Sequence, residues 1–141
     1  MRSAFHHRRS PALGNDRGGI VLGWLTKLTV ALALVGIVLF DAISVGSTAA
    51  TVADQGTYAA HEASATWDQT KDLQQTYDAA VAAATEQNPQ NVVSPKQFTV
   101  DPDGTVHLVV SRVAPTLILS RWDRTATWAH VSQNAKGRSV G

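Results

Sequence analysis

From Ile20 to Phe40 the chain reads IVLGWLTKLTVALALVGIVLF, with Lys27 as its single charge. A helix of that length is about 31 Å long, which matches the hydrocarbon core of a bilayer. Lys27 falls in the first third, where its aliphatic stem can carry the ammonium group to the nearer interface, and Trp24 is a candidate interfacial ring. The run therefore predicts one transmembrane helix, taken as residues 18–41.

Flanking charge orients it. Arg2, Arg8, Arg9 and Arg17 precede the run, whereas the residues after it carry Asp41 and no Lys or Arg before Lys71. The positive-inside rule puts the amino terminus in the cytoplasm, and the rest outside, in a single-pass protein of the cell membrane. Asp41 is expected at the interface and hydrated; the alternative is an ion pair with Lys27 of a neighbouring helix. A cleaved signal peptide competes with the anchor. Leu28–Phe40 has the length of a signal core, and Ser47-Thr48-Ala49 resembles a small-x-small cleavage site. In that case a small secreted or envelope-binding domain would be released by signal peptidase.

Residues 1–17 are polar, aperiodic and interrupted by Pro11 and Gly14, which reads as a disordered cytoplasmic tail. From Ile20 no proline occurs before Pro89. Residues 42–87 therefore read as an extracytoplasmic helical segment, with a bend or new helix near Thr66–Asp68, where Thr66 and Gln69 have capping-box spacing. In 88–131 the grammar is β. Gln97–Val100 and Thr105–Val110 flank the turn Asp101-Pro102-Asp103-Gly104, Pro115 suits the start of a short helix through Leu119 and Trp122, and Thr125–Val131 reads as a third strand. Residues 132–141 are expected to fray. The fold class is α+β, with a long amino-terminal helix, a second helix and a small three-stranded antiparallel sheet.

Between the span and the sheet lies a regular stripe. Steps of four and three residues in turn land on Ala42, Gly46, Ala49, Ala53, Gly56, Ala60 and Ala63, then on Trp67; seven of the nine alanines and glycines in 42–63 fall on it. This spacing keeps a stripe on one side of a helix and sets how closely a neighbour approaches. The same register runs upstream through Leu39, Val35, Leu32, Leu28 and Leu25. A helix-packing seam against another protein, or against a second copy in a homo-oligomer, is the expected role; cover by the chain's own β-region is the alternative.

Motifs with catalytic form fail on context. Gly137-Arg138-Ser139-Val140-Gly141 has the nucleophile-elbow pattern but no helix after it, and Asp101 and Asp103 lack the further ligands of a calcium loop. His107 and His130 sit on candidate strands without the third or fourth ligand that zinc needs, and His61 beside Glu62 reads as a solvated helix pair. His6-His7-Arg8-Arg9 reads as a topology signal. Charge is near balance at +1, so no field draws nucleic acid, and the absence of cysteine leaves the redox compartment open. The expectation is a non-enzymatic protein with no catalytic site, no cofactor, no metal and no nucleic-acid partner.

Arg17-Gly18-Gly19 before the run, Phe40-Asp41 at its exit, Ala49–Ala60 (AATVADQGTYAA) after it and Phe98–Leu119 (FTVDPDGTVHLVVSRVAPTLIL) together resemble the TadE/TadG-like accessory proteins of tight-adherence pili. The resemblance spans about residues 17–131. It implies a pseudopilin-like subunit whose amino-terminal helix is anchor and packing spine for a small α+β head, with other pilus or envelope proteins as partners. Members processed like prepilins carry glutamate at the fifth position after the cleavage glycine; here Trp24 stands fifth after Gly19 and Gly23 fifth after Gly18.

Overall fold

A computed structural model describes residues 16–119, 121 and 124–139. The expected tail at 1–17 lies outside these up to residue 15, as do the histidine–arginine cluster, Trp122 and the last two residues of the elbow-like pentapeptide. The chain divides into two compact units, Met1–Val35 and Gly36–Gly141, and is α+β. Helix α1, Asp16–Thr70, contributes to both.

In the first unit α1 is apolar all round. Val21, Leu22, Leu25, Leu28, Val30, Leu32, Leu34 and Val35 are all exposed, as is Trp24. The core helix of a water-soluble protein would bury one face; this one buries almost nothing, while being long and apolar enough to cross a membrane. Its two described hydroxyls are satisfied internally, Thr26 and Thr29 donating to the carbonyls of Leu22 and Leu25, both at 2.9 Å. That is what a lipid environment demands of a hydroxyl.

In the second unit the same helix changes character. Asp41, Thr48, Val52, Gly56, Ala59, Ala60, Ala63 and Ser64 form a buried face at three- and four-residue spacing. Lys71, at φ 53°, ends the helix, its N–H reaching the Trp67 carbonyl at 2.8 Å. Helix α2, Leu73–Gln87, then starts at Asp72, whose carboxylate accepts the Gln75 N–H at 3.0 Å. The break thus falls a few residues later than the expected Thr66–Asp68. Thr66 caps nothing there, because its hydroxyl bonds back to the Glu62 carbonyl inside α1.

The sheet has four strands where three were expected: β1, Val92–Val93; β2, Thr99–Val100; β3, Val106–Val113; and β4, His130–Gly137. All pairing is antiparallel and centres on β3. Strand β4 covers one edge of β3 over its full length, from Val106↔Gly137 to Val113↔His130, which leaves β1 and β2 to share the other edge. The hairpin turn at Asp101–Gly104 is as expected, with Gly104 at φ 83° and its N–H on the Asp101 carbonyl at 2.9 Å. The last strand is displaced. Ala126–Ala129 is a 3-10 turn, and the strand runs on through residues 132–137, expected to fray. Ser132, Gln133, Asn134 and Lys136 hide it by their polarity, while Val131, Ala135 and Gly137 turn inward.

One core joins these parts: Val52, Ala59, Ala60 and Ala63 from α1, Ala80, Ala83 and Ala84 from α2, and Val93, Val106, Leu108, Val110, Val131 and Ala135 from the sheet. Tyr77 closes it at one side, edge-on to Phe98 at 5.3 Å and hydrogen-bonded to the Val93 carbonyl at 3.2 Å.

Candidate functional site

Two places in the second unit bear on function: the junction at Asp41 and the stripe of small residues. Asp41 follows the apolar run directly, yet it is only 3% exposed. Its Oδ1 accepts the N–H of Leu117 at 2.6 Å, and its Oδ2 accepts those of Ile118 and Leu119 at 3.0 and 3.1 Å. One turn further, the Ser44 hydroxyl donates to the Pro115 carbonyl. The expected hydrated Asp41 is therefore corrected: the carboxylate is the organising centre of the loop after β3. Among the described residues the short helix expected from Pro115 is absent for the same reason. Three successive N–H groups converge on one anion, and the chain bends at Leu117–Ile118.

Beside this knot Val38, Asp41, Ala42 and Val45 of α1 face Ile118, Leu119 and Trp128 across a groove of about 330 Å³ that is almost wholly apolar. Leu117 and Trp128 are exposed, as are Arg121 and Arg124 in the connecting segment.

The stripe divides in two. Its later part is covered by the chain's own sheet. A Cβ on Gly56 would stand 3.1 Å from the Ala135 Cβ and 3.3 Å from a methyl of Val110, and Ala60 and Ala63 are fully buried. From the strand side Gly137 presses on the backbone of Ala60 and His61, leaving no room for a side chain. Small residues on both partners let strand and helix touch backbone to backbone. Ala49 and Ala53 are half-buried, with Ala49 packed against the core. The earlier part is open: Ala42 is exposed, and nothing approaches within 4 Å of a Cβ built on Gly46.

A second polar knot holds the far end of α1. The Ser64 hydroxyl, fully buried, donates to the Gly104 carbonyl at 3.1 Å and accepts the Ser139 N–H at 2.6 Å. Nearby, Asp103 accepts from the Thr105 N–H at 3.0 Å and faces Arg138 at 3.6 Å; the Thr105 contact holds its carboxyl below the usual carboxylate range. Ser139 is thereby a structural donor in this knot. His107 pairs with Asp101 at 2.8 Å on the surface. Among the described residues no three His, Cys, Asp or Glu side chains gather in a way that would hold a metal ion.

No protein-family model matches the chain, and neither a curated protein nor a solved structure does. The likeness to pilus accessory proteins rests on the residues quoted for it.

Sequence reasoning missed Asp41 and Ser64 as tethers. For Asp41 a signal existed: an acidic side chain at the end of an apolar run needs either water or donors, and the backbone N–H groups of the apolar Leu117–Leu119 segment could supply them. Ser64 lay one position beside Ala63, and nothing in its neighbours marks it.

Proposed function

We propose that the chain is a non-enzymatic, single-pass membrane subunit of the minor-pilin kind that takes part in assembling or seating a Tad-type pilus, with its amino terminus cytoplasmic and its head outside. One observation carries the reading: α1 is apolar and exposed on every side through Val35, then supplies the buried spine of the α+β head from Asp41 to Ser64. A helix that is anchor first and core second is the economy on which pilin-like subunits are built, as the family resemblance implies.

The competing reading, release by signal peptidase, is disfavoured by Asp41. A cut after Ala49 removes Asp41, Ser44 and Thr48 and strips the Leu117–Leu119 N–H groups of their acceptor. A head that needs residues upstream of the cleavage site is poorly suited to live without them.

The partner contact is assigned to the open part of the stripe, Ala42 and Gly46, which a helix of another pilus or envelope protein, or of a second copy, would cover. Single cysteines at Ala42, Gly46 and Ala50, crosslinked in membranes of cells that carry the pilus genes, should yield a defined adduct at Ala42 and Gly46, and adding Gly46→Leu to the Ala42 cysteine variant should abolish its adduct. No adduct at any of the three, with pili of normal number in cells lacking the protein, would contradict the proposal.

A further inference from the structure

The loop that Asp41 holds has the composition of a membrane-surface contact. Asp41 is the first residue after the apolar run, so a loop bonded to its carboxylate lies within about one helical turn, along the helix axis, of the point where hydrocarbon gives way to headgroups. The groups held there are ill suited to water. Leu117 is 53% exposed, Trp128 68%, and Ile43, two residues beyond Asp41, 69%. Between Leu117 and Trp128 stand Arg121 and Arg124, both exposed. Exposed leucine and tryptophan interleaved with arginine, next to a span, are what the interfacial layer of a bilayer selects: rings at headgroup depth, aliphatic side chains at the acyl boundary, and guanidinium groups on phosphate.

We propose that Leu117, Arg121, Arg124 and Trp128 form a second membrane contact, seated in the headgroup layer, with both arginines on anionic phospholipid and the Leu119 and Trp128 side of the apolar groove facing acyl chains. The proposal rests on the membrane reading of α1. A bilayer is the occupant because the groove is continuous with the lipid-facing helix: Val38 lines it and, like Phe40, is itself exposed. Asp41 makes the contact rigid, since three backbone hydrogen bonds fix the loop to the helix at that depth.

The chain has no cysteine, so single labels can be placed in the full-length protein. Val30→Cys, Leu117→Cys, Trp128→Cys and Gln69→Cys, each carrying an environment-sensitive fluorophore, are reconstituted into vesicles of phosphatidylcholine and phosphatidylglycerol with nitroxide lipids that quench either near the headgroup or deep in the chain. Residue 69 is the control, about 42 Å along the helix from Asp41. Labels at 117 and 128 are expected to be quenched several-fold more than the label at 69 by the shallow nitroxide, while 30 responds to the deep one. Arg121→Gln with Arg124→Gln should lower the shallow quenching at 117 and 128 and leave residue 30 unchanged. Quenching at 117 and 128 equal to that at 69, with 30 quenched, overturns the proposal and spares the anchor; an unquenched residue 30 overturns both.

Discussion

The Asp41 carboxylate accepts the Leu117 backbone N–H at 2.6 Å, joining residues 76 positions apart. With the Ile118 and Leu119 bonds it is the tie between the end of the apolar run and the loop that follows the central strand.

Asp41→Asn should therefore be harmful to the head although it is harmless to insertion. An amide keeps one acceptor oxygen and turns its NH₂ toward groups that are themselves donors. Loss of one or two charge-assisted bonds should lower head stability by about 2 kcal/mol. Urea unfolding of the detergent-solubilised protein measures this, and the Asn variant should still fractionate with membranes.

Glycine substitutions should separate the two parts of the stripe. Gly46→Ala lies in open space in a helix and should stabilise by about 0.5–1 kcal/mol through backbone propensity. Gly137→Ala sets a methyl against the α1 backbone at Ala60 and His61, where neither element can yield, and should cost at least about 1–3 kcal/mol. Thermal melts of the two variants should move in opposite directions.

Leucine extends the contrast. Ala60→Leu forces the sheet off α1 and should unfold the head, whereas Gly46→Leu should raise the melt slightly, as Gly46→Ala does, and impair only assembly. A head that tolerates Ala60→Leu would mean that the sheet does not pack where it is described.

Ser64→Ala should release both the Gly104 turn and the segment after β4 from the distal knot. It leaves a buried carbonyl and a partly buried N–H without a partner, at a cost of about 1–3 kcal/mol. Hydrogen exchange at the Ser139 amide should rise sharply, with the β3–β4 ladder still protected.

The apolar run, the hairpin at Asp101–Gly104 and the α+β class were legible because each is encoded locally, in hydropathy, turn chemistry and periodicity. The stripe was legible as a packing face but not as to its partner. Gly56 and Ala60 meet Ala135 and Gly137, almost eighty residues on, and small residues look the same whether a strand or a helix covers them. Strand β4 was hidden because its outward positions are Ser, Asn and Lys and its inward ones partly Ala and Gly, residues of weak strand preference that succeed here through eight paired positions with β3. The Asp41 knot was illegible for a related reason. Its donors are backbone groups, which carry no sequence signature, and the leucines and isoleucine that mark the segment suggested helix.

Orientation is tested by a reporter fused after Gly141. With four arginines before the span and none close behind it, activity is expected only on the outer side of the membrane.

The central claim, that α1 stays attached as both anchor and spine, is tested most directly by the intact mass of the protein recovered from washed, carbonate-extracted membranes. A membrane-bound chain that retains Ile20–Phe40 and Asp41 together with the head is the predicted result. A soluble chain beginning near Ala50 would contradict it.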